Sequence, residues 1–312
     1  MLGGPPVEGA RMERWPELRY DDWKDTLATL HLWTQVVGKI RMHLEPFQNH
    51  WWNVTLYVTP RGLTTSAMPY RDGRTLEIAF DFISHELRID DCDGGLGSFA
   101  LEPMTVAAFY ERVMRELAAM SFDVAIDPTP NEIADAVPFP QDTAHKSYDA
   151  AYVDRFRYAL LAADRVCKRF RSNFVGKSSP VHFFWGSFDL AYTRFSGRAA
   201  PPHPGGFPNM PDSATREAYS REEQSVGFWP GGAGAEALFY AYAYPEPKGF
   251  AEAKVRPAQA GWYPALREFV LPYEAARASG DPSAAVLEFF TSTYDAAATL
   301  GAWDRALLER QA

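Results

Sequence analysis

The sequence predicts an α+β protein made of two similar units, each an antiparallel sheet flanked by helices. In each half, apolar residues at helical spacing precede β-rich segments, and a second helical pattern follows them. Turn residues separate the β-rich segments at short intervals, which is typical of antiparallel meanders. The halves also share local sequence, such as His50-Trp51-Trp52 with His182-Phe183-Phe184. We therefore expect a tandem duplication with a pseudo-twofold arrangement, the alternative being chance similarity between two α+β halves.

The first unit is expected over residues 16–130, after a flexible N-terminus over residues 1–15. Asp21 and Asp22 offer an N-cap to a helix whose apolar residues keep helical spacing. That apolar stripe consists of Trp23, Leu27, Leu30, Val37 and Leu44. Residues 50–103 then predict strands separated by turns such as "RDG" and "DDCDGGLG". Thr105 is expected to cap a second amphipathic helix.

The second unit is expected over residues 150–312, after a linker over residues 131–149 that is rich in Pro and Asp. A helical pattern leads into the strand segment "VHFFWGSFDLAYTRFSG". A long loop over residues 197–235 follows, and its prolines and aromatic residues favour an ordered cap over a flexible linker. We expect this cap to cover a pocket.

Composition excludes several classes of protein. With 46% hydrophobic and 23% charged residues among 312, the chain is typical of a globular protein. A net charge of -9 argues against nucleic acid as a partner, because such binding needs a concentrated basic surface. No apolar segment approaches the roughly 20 residues that span a membrane, and the N-terminus lacks the apolar core of a secretion signal. We expect a cytoplasmic protein whose thiols, Cys92 and Cys167, are reduced.

The strand segment near residue 182 combines aromatic residues with polar side chains that are candidates for catalysis. If the strand is regular, one side carries His182, Phe184, Phe188, Tyr192 and Arg194, and the other carries Trp185, Ser187 and Asp189. A bulge at Gly186 would change that phase. The alternative is a half-buried structural strand whose His and Arg make ordinary hydrogen bonds.

Three residues are the predicted catalytic groups. His182 is a candidate proton carrier, because an unperturbed histidine titrates nearest to neutrality. His203 lies between prolines in the expected cap, so it too could act on a bound ligand. Asp189 could orient a histidine, ligate a metal or pair with an arginine, and pairing is the simpler interpretation. Glu222 and Glu223 are further acids, although a solvated turn also explains them.

Ligand binding is assigned to arginines and large aromatic residues. Arg194 is the predicted anchor for a carboxylate or phosphate, because its planar guanidinium binds oxyanions bidentately. Arg61, which precedes Thr64, Thr65 and Ser66, could bind an anion as well, but a turn and an edge strand explain it equally. Aromatic contacts to the ligand are expected from Trp185, Tyr192, Trp229 and Tyr242.

Cofactor signatures are weak. If a metal such as zinc or iron is bound, the candidate ligands are His50, His182, His203 and Asp189, but their spacing matches no known metal motif. No GxGxxG, GxxxxGK[ST] or GxSxG pattern occurs, so a nucleotide cofactor is not expected.

Six motifs indicate a family resemblance: "LHLWTQVVGKIR", "PRGLTTSAMPY", "SPVHFFWGSFDLAYTRFSGR", "HPGG", "EAYSREEQSVGFWPGG" and "YAYPEP". With these motifs the sequence resembles a bacterial family of uncharacterised proteins known only as a domain of unknown function. The resemblance runs from about Trp15 to Arg310. It implies one evolutionary unit of nearly this length and carries no activity, cofactor or catalytic residue.

The leading hypothesis for function is a cytoplasmic enzyme acting on a small polar or anionic metabolite, in a pocket between the two units and under the cap. The second hypothesis is a non-catalytic ligand-binding or sensory protein that uses the same pocket. The third is a protein of homomeric interactions, with "FWPGG" and "YAYAY" as an exposed aromatic interface.

Overall fold

A computed structural model of the chain describes residues 14–310, so most of the N-terminus predicted to be flexible lies outside the described residues. Two antiparallel sheets of six strands each are flanked by helices, which confirms the α+β prediction. The tandem duplication is not confirmed. The strands of the two sheets are connected in different orders, as their bounds below show.

The first half contains two helices and six strands. Its elements are α1 (Tyr20–Leu44), β1 (Tyr57–Thr59), β2 (Gly62–Thr64), β3 (Met68–Pro69), β4 (Thr75–Asp81), β5 (Glu86–Asp91), β6 (Leu96–Ala100) and α2 (Val106–Ala119). The strands lie in the order β1-β2-β4-β5-β6, and β3 pairs with β4. The Thr105 side chain accepts a hydrogen bond from the Ala108 amide, so it caps α2 as predicted.

The predicted strand entrance at His50 is wrong. Residues Asn49–Val54 form a 3₁₀-helical turn, in which His50 and Trp51 adopt φ angles of 60° and 58°. Left-handed backbone at two consecutive residues turns the chain sharply, so an extended strand cannot begin there. The similarity between His50-Trp51-Trp52 and His182-Phe183-Phe184 is therefore not a similarity of secondary structure.

The second half contains five helices and six strands. Its elements are α3 (Ala150–Arg171), β7 (His182–Phe184), β8 (Asp189–Ala199), α4 (Asp212–Ala218), β9 (Arg221–Trp229), β10 (Leu238–Tyr244), β11 (Gly261–Tyr263), β12 (Glu268–Pro272), α5 (Tyr273–Arg277), α6 (Pro282–Leu300) and α7 (Arg305–Leu308). The strands of this second sheet lie in the order β11-β12-β10-β9-β8-β7.

The segment 197–235 is not one continuous loop. Strand β8 extends to Ala199, and β9 pairs with both β8 and β10 in the middle of the sheet. Only residues 200–220 connect the two strands, and they include α4. The covering segment is therefore about half as long as the sequence predicts, because "REEQSVGFW" is a strand and not part of the loop.

The two sheets are joined through the backbone. Leu56, just before β1, exchanges hydrogen bonds of 2.9 and 2.8 Å with Phe183 of β7. The buried apolar side chains of both halves form one continuous core. Among residues 14–310, no helix combines the length and apolar character needed to cross a membrane.

Alternation along the strands gives the second sheet two different faces. The helix face carries Tyr192, Arg194, Phe228 and Phe239, and it packs against α3 and α6 through ring contacts such as Phe239 with Phe290. The opposite face, which we call the polar face, carries hydroxyl, carboxyl and imidazole groups. Its polar side chains are those of His182, Asp189, Thr193, Glu223, Ser225, Tyr240, Tyr242, Tyr244 and Glu268, and the same face also carries Phe195 and Trp229.

Candidate functional site

A tight turn between β7 and β8 determines which side chains of the two strands are cross-strand neighbours. Residues 185–188 form the turn, and Phe188 has a φ angle of 59°. Cross-strand pairing then places His182 opposite Ala191 and Phe184 opposite Asp189. His182 and Asp189 are therefore diagonal neighbours on the polar face.

The predicted grouping of His182 with Arg194 on one side of a regular strand is wrong. The turn reverses the chain, so the alternation does not continue unbroken from His182 to Arg194. Tyr192 and Arg194 lie on the helix face as a result.

Asp189 is the centre of a hydrogen-bonded group. Its carboxylate accepts hydrogen bonds from the hydroxyls of Ser187 and Tyr240, and only 7% of the residue is exposed. Burial raises the pKa of this carboxyl. The Tyr240 ring reaches Asp189 by lying across Gly227, where a Cβ atom would overlap both the phenol and the Leu190 carbonyl. Gly227 is thus required for this arrangement.

Two half-buried glutamates face the same place. Burial, with the nearby charge of Asp189, raises the pKa of Glu132 and of Glu268 to about 7. Glu132 lies directly over Gly186, where a Cβ atom would overlap its carboxylate. Its position is fixed from both sides, because its amide donates to the Pro208 carbonyl (2.8 Å) and the Asn131 amide donates to the Gln35 side chain (2.8 Å).

Phenol rings form one wall of the site. Tyr240, Tyr242 and Tyr244 alternate along β10 and share the polar face, with the first two rings stacked 6.2 Å apart. The Tyr242 hydroxyl lies 3.1 Å from that of Tyr219, which follows α4. His203 stacks on Tyr219 at 4.6 Å, so residues 200–220 cover this wall.

Glu223 extends the acidic character of the face. This carboxyl is buried, and burial raises its pKa well above the usual value, although the Tyr242 hydroxyl and the Lys177 ammonium favour its ionised form. The polar face therefore brings together carboxyl groups from three strands and from the segment that contains Glu132.

His182 is buried without hydrogen bonds. It is 1% exposed, and among the described residues neither ring nitrogen has a partner. The rings of Tyr57, Trp52 and Phe184 surround it at 5.5 to 5.8 Å. Burial, with a smaller effect from the Arg41 charge, lowers its pKa to about 3. His182 is therefore neutral near pH 7 and enclosed by rings, which does not suit the proton transfer that the sequence predicts.

Several predicted binding residues lie elsewhere. The Arg194 guanidinium stacks on the Phe170 ring at 3.5 Å and donates to the Phe170 carbonyl on the helix face. Arg61 is exposed and forms an ion pair of 2.5 Å with Asp81 in the first sheet. The Trp185 indole packs over Gly38 and donates to the Val54 carbonyl at 2.6 Å. Of the predicted ligand contacts, only Trp229 and Tyr242 lie on the polar face.

The four predicted metal ligands do not lie close enough together to form one coordination site. Within residues 14–310, no three His, Cys, Asp or Glu side chains are grouped closely enough to hold a metal ion. His50 is hydrogen-bonded to the Ala218 carbonyl (2.7 Å) and to the Lys177 ammonium (2.8 Å), while His203 and Asp189 lie in the separate groups described above. Ring packing around His182 explains why it does not join them.

Sequence reasoning missed Glu132, Tyr219, Tyr240 and Glu268. One signal was available: the alternation in "FYAYAY" places three tyrosines on one strand face. Nothing local indicated Glu132, which lies in the predicted linker. Two shallow depressions of about 560 and 400 Å³ lie beside α2 and α6, and neither is lined by the residues of the polar face.

Comparisons with known proteins place the chain in a family without naming its activity. No curated protein and no solved structure is significantly similar to it. One family model matches residues 15–310, in agreement with the resemblance that the motifs indicate. The chain therefore belongs to the family of unknown function DUF5996.

Proposed function

We propose that the protein is an enzyme of small-molecule metabolism whose polar face binds a substrate and uses carboxyl groups for acid–base chemistry. One observation carries this proposal: Glu132 and Glu268 come from distant segments, and the charge of the buried Asp189 reaches both of them. Two of these three residues are half-buried, so solvent and a ligand reach them. Ionisable groups in such an environment are typical of active sites.

The chemistry follows from the environment of each carboxyl. A group with a pKa near 7 is populated in both protonation states at neutral pH, which suits a general acid or base. We assign proton transfer to Glu132 and Glu268. Asp189 holds the Tyr240 hydroxyl in place, so we assign both to positioning.

The same geometry favours a neutral or cationic substrate over an anionic one. The predicted anion anchor, Arg194, is 3% exposed and lies on the helix face. The polar face instead carries three carboxyl groups, and that of Glu132 lies over the adjoining turn. A cytoplasmic location stays part of the proposal, since the two unpaired thiols, Cys92 and Cys167, suit a reducing compartment.

The structure offers less support for an aromatic interface between copies of the chain. In "YAYAY" and "FWPGG", the aromatic side chains are buried or half-buried within the second sheet. They do not form the exposed apolar patch that an interface of this kind requires.

Native and denaturing mass spectrometry of the purified protein test the proposal. We expect a small molecule to accompany the folded wild type and to be lost on denaturation. Glu132→Gln and Glu268→Gln should reduce its occupancy or its conversion, while exposed Glu252→Gln serves as the matched control.

The molecule recovered after incubation separates the two leading hypotheses. A changed mass supports catalysis, and loss of that change in the Gln variants supports the roles of the carboxyls. A molecule that is recovered unchanged under all conditions would contradict the enzyme proposal and favour a binding or sensory protein.

A further inference from the structure

We infer that the ligand of the polar face is an organic cation, whose ammonium group lies against the phenol rings of Tyr219 and Tyr242 between Glu223 and Glu268. This inference rests on the proposed function, because it names the substrate class of the same site.

Charge is the first argument. Glu132, Asp189, Glu223 and Glu268 face one side of the sheet, and among the described residues no lysine or arginine forms an ion pair with them. The Lys177 ammonium is hydrogen-bonded to His50, and its field reaches Glu223. Arg41 lies beside His182 and is paired with Glu45 at 3.0 Å. Among the described residues these carboxyls therefore have no paired cation, and burial keeps them partly protonated near neutral pH by raising their pKa values. A bound cation would favour their ionised forms.

The ring arrangement is the second argument. Tyr219, Tyr242, Tyr244 and Trp229 are half-buried, so part of each ring surface is open. Tyr219 and Tyr242 are tilted by 39° with centroids 6.2 Å apart, and His203 covers the other side of Tyr219. Aromatic faces next to carboxylates attract ammonium groups through the ring quadrupole and through direct charge.

His182 lies on the same sheet face, diagonal to Asp189, and among the described residues neither of its buried ring nitrogens has a hydrogen-bond partner. It is three strands away from Tyr242 and is enclosed by the rings of Tyr57, Trp52 and Phe184, so it does not contact the proposed ammonium position. Being neutral, it adds no repulsion toward a cation on this face.

Binding of a cation should release protons. A positive ligand favours the ionised forms of Glu132 and Glu268, whose pKa values of about 7 would fall on binding. The affinity should therefore rise with pH through neutrality. If one carboxyl must ionise, the gain between pH 6 and pH 8 is about tenfold.

The test uses butylammonium as the probe and butanol as its neutral counterpart of equal chain length. Calorimetry or NMR titration of the wild type should show binding of butylammonium, about tenfold tighter at pH 8 than at pH 6, and weaker binding at high salt. Equal binding of butanol, or an affinity for butylammonium that does not change with pH, would overturn the inference.

Variants separate charge from ring contact. Glu268→Gln should weaken butylammonium binding about tenfold, as expected for loss of one buried charge contact. Tyr242→Leu should weaken it about two- to fivefold, while Tyr242→Phe, which keeps the ring, should largely restore it. Glu252→Gln is the matched control, and thermal unfolding confirms that each variant is folded. Wild-type affinity in both Glu268→Gln and Tyr242→Leu would refute the assignment.

The outcomes distinguish this inference from the proposed function. A neutral metabolite that is converted in a carboxyl-dependent reaction would keep the enzyme proposal and overturn the organic cation. A bound cation that is never converted would keep the inference and contradict catalysis.

Discussion

The two faces of the second sheet use the same strands for different purposes. On the helix face, Tyr192, Phe228 and Phe239 are fully buried and pack against rings from the helices. Their immediate neighbours in the same strands, Gly227 and Tyr240, belong to the polar face. Alternation therefore lets one sheet contribute both a core and a candidate site, and a shift of one residue would exchange the two.

Charged residues behave differently on the two faces. Arg194 is buried on the helix face, where ring surfaces and a backbone carbonyl replace its water shell. Glu132 and Glu268 on the polar side are half-buried and remain within reach of solvent. Only the second environment allows a group to exchange protons with a ligand, so the helix face contributes stability and the polar face is the one to which we assign the proposed chemistry.

The largest expected effect is on the helix face. Phe239→Ala removes a ring that contacts Trp15, Phe228, Tyr273 and Phe290, and it should lower the free energy of unfolding by about 3–5 kcal/mol. Tyr242→Leu on the polar face should cost less than about 2 kcal/mol. Denaturant unfolding measures both. Equal losses would contradict the division between the two faces.

The pH dependence of stability is the next effect in size. The native protein keeps protons on Glu132 and Glu268 up to about pH 7, whereas the unfolded chain releases them near the ordinary value of 4.5. The contribution of these two groups to the free energy of unfolding should therefore fall between pH 5 and pH 8, by roughly 2–3 kcal/mol in total after allowance for partial solvation. The buried His182, whose pKa is lowered, contributes in the opposite direction below about pH 6.5, so a comparison with the Gln variants isolates the effect of the glutamates. Thermal unfolding across this range measures it.

The Gln variants give the matching control. Glu132→Gln and Glu268→Gln should each reduce this pH dependence and make the protein more stable than wild type at pH 8. Glu252→Gln should leave it unchanged. A pH profile of the Glu132→Gln and Glu268→Gln variants with the same slope as that of wild type would show that the two carboxyls have ordinary pKa values.

A smaller effect is expected at Gly227. Gly227→Ala places a methyl group against the Tyr240 ring and the Leu190 carbonyl, so it should cost about 1–2 kcal/mol and displace Tyr240 from Asp189. Unfolding experiments give the cost, and a crystal structure of the variant shows the ring position. A variant as stable as wild type, with Tyr240 in place, would mean that the ring is not confined there.

The smallest effect is expected at Arg194. Arg194→Met should leave the affinity for butylammonium within about twofold of the wild-type value, because the guanidinium lies on the other face of the sheet. The same titration as above measures it. A tenfold change in affinity would connect the two faces and restore Arg194 as part of the binding site.

Local patterns predicted much of the fold and less of the site. The cap at Thr105, the helices and the antiparallel strands follow from local residue chemistry, and the structure confirms them. The predicted N-cap at Asp21 and Asp22 is wrong, because α1 already begins at Tyr20 and both acids lie in its first turn, where they complement the helix dipole. Of the residues singled out from the sequence, Asp189, Trp229 and Tyr242 lie on the polar face, although Trp229 was expected in the cap and not in a strand. At Gly186 the alternatives expected from the sequence were a regular strand and a β-bulge, not a tight turn. A bulge and a turn both interrupt the alternation of side chains, so the alternation alone cannot distinguish a bulge from a reversal of the chain.

Glu132 and Glu268, which the sequence patterns did not single out, show what the pattern of a single segment cannot predict. Glu132 reaches the polar face because distant groups, the Pro208 carbonyl and the Gln35 side chain, hold its segment in place. Glu268 lies at the start of a short strand two positions away from β9 in the sheet. Both positions depend on tertiary pairing, which the periodicity of a single segment does not encode.

The most direct test of the account is a carbon-13 NMR titration of the glutamate side-chain carboxyls, with Glu132→Gln and Glu268→Gln used to identify the two resonances. The account predicts that both groups titrate near pH 7 and that their pKa values fall when butylammonium is added. Titration of both groups near 4.5, with no response to butylammonium, would contradict a ligand site on the polar face.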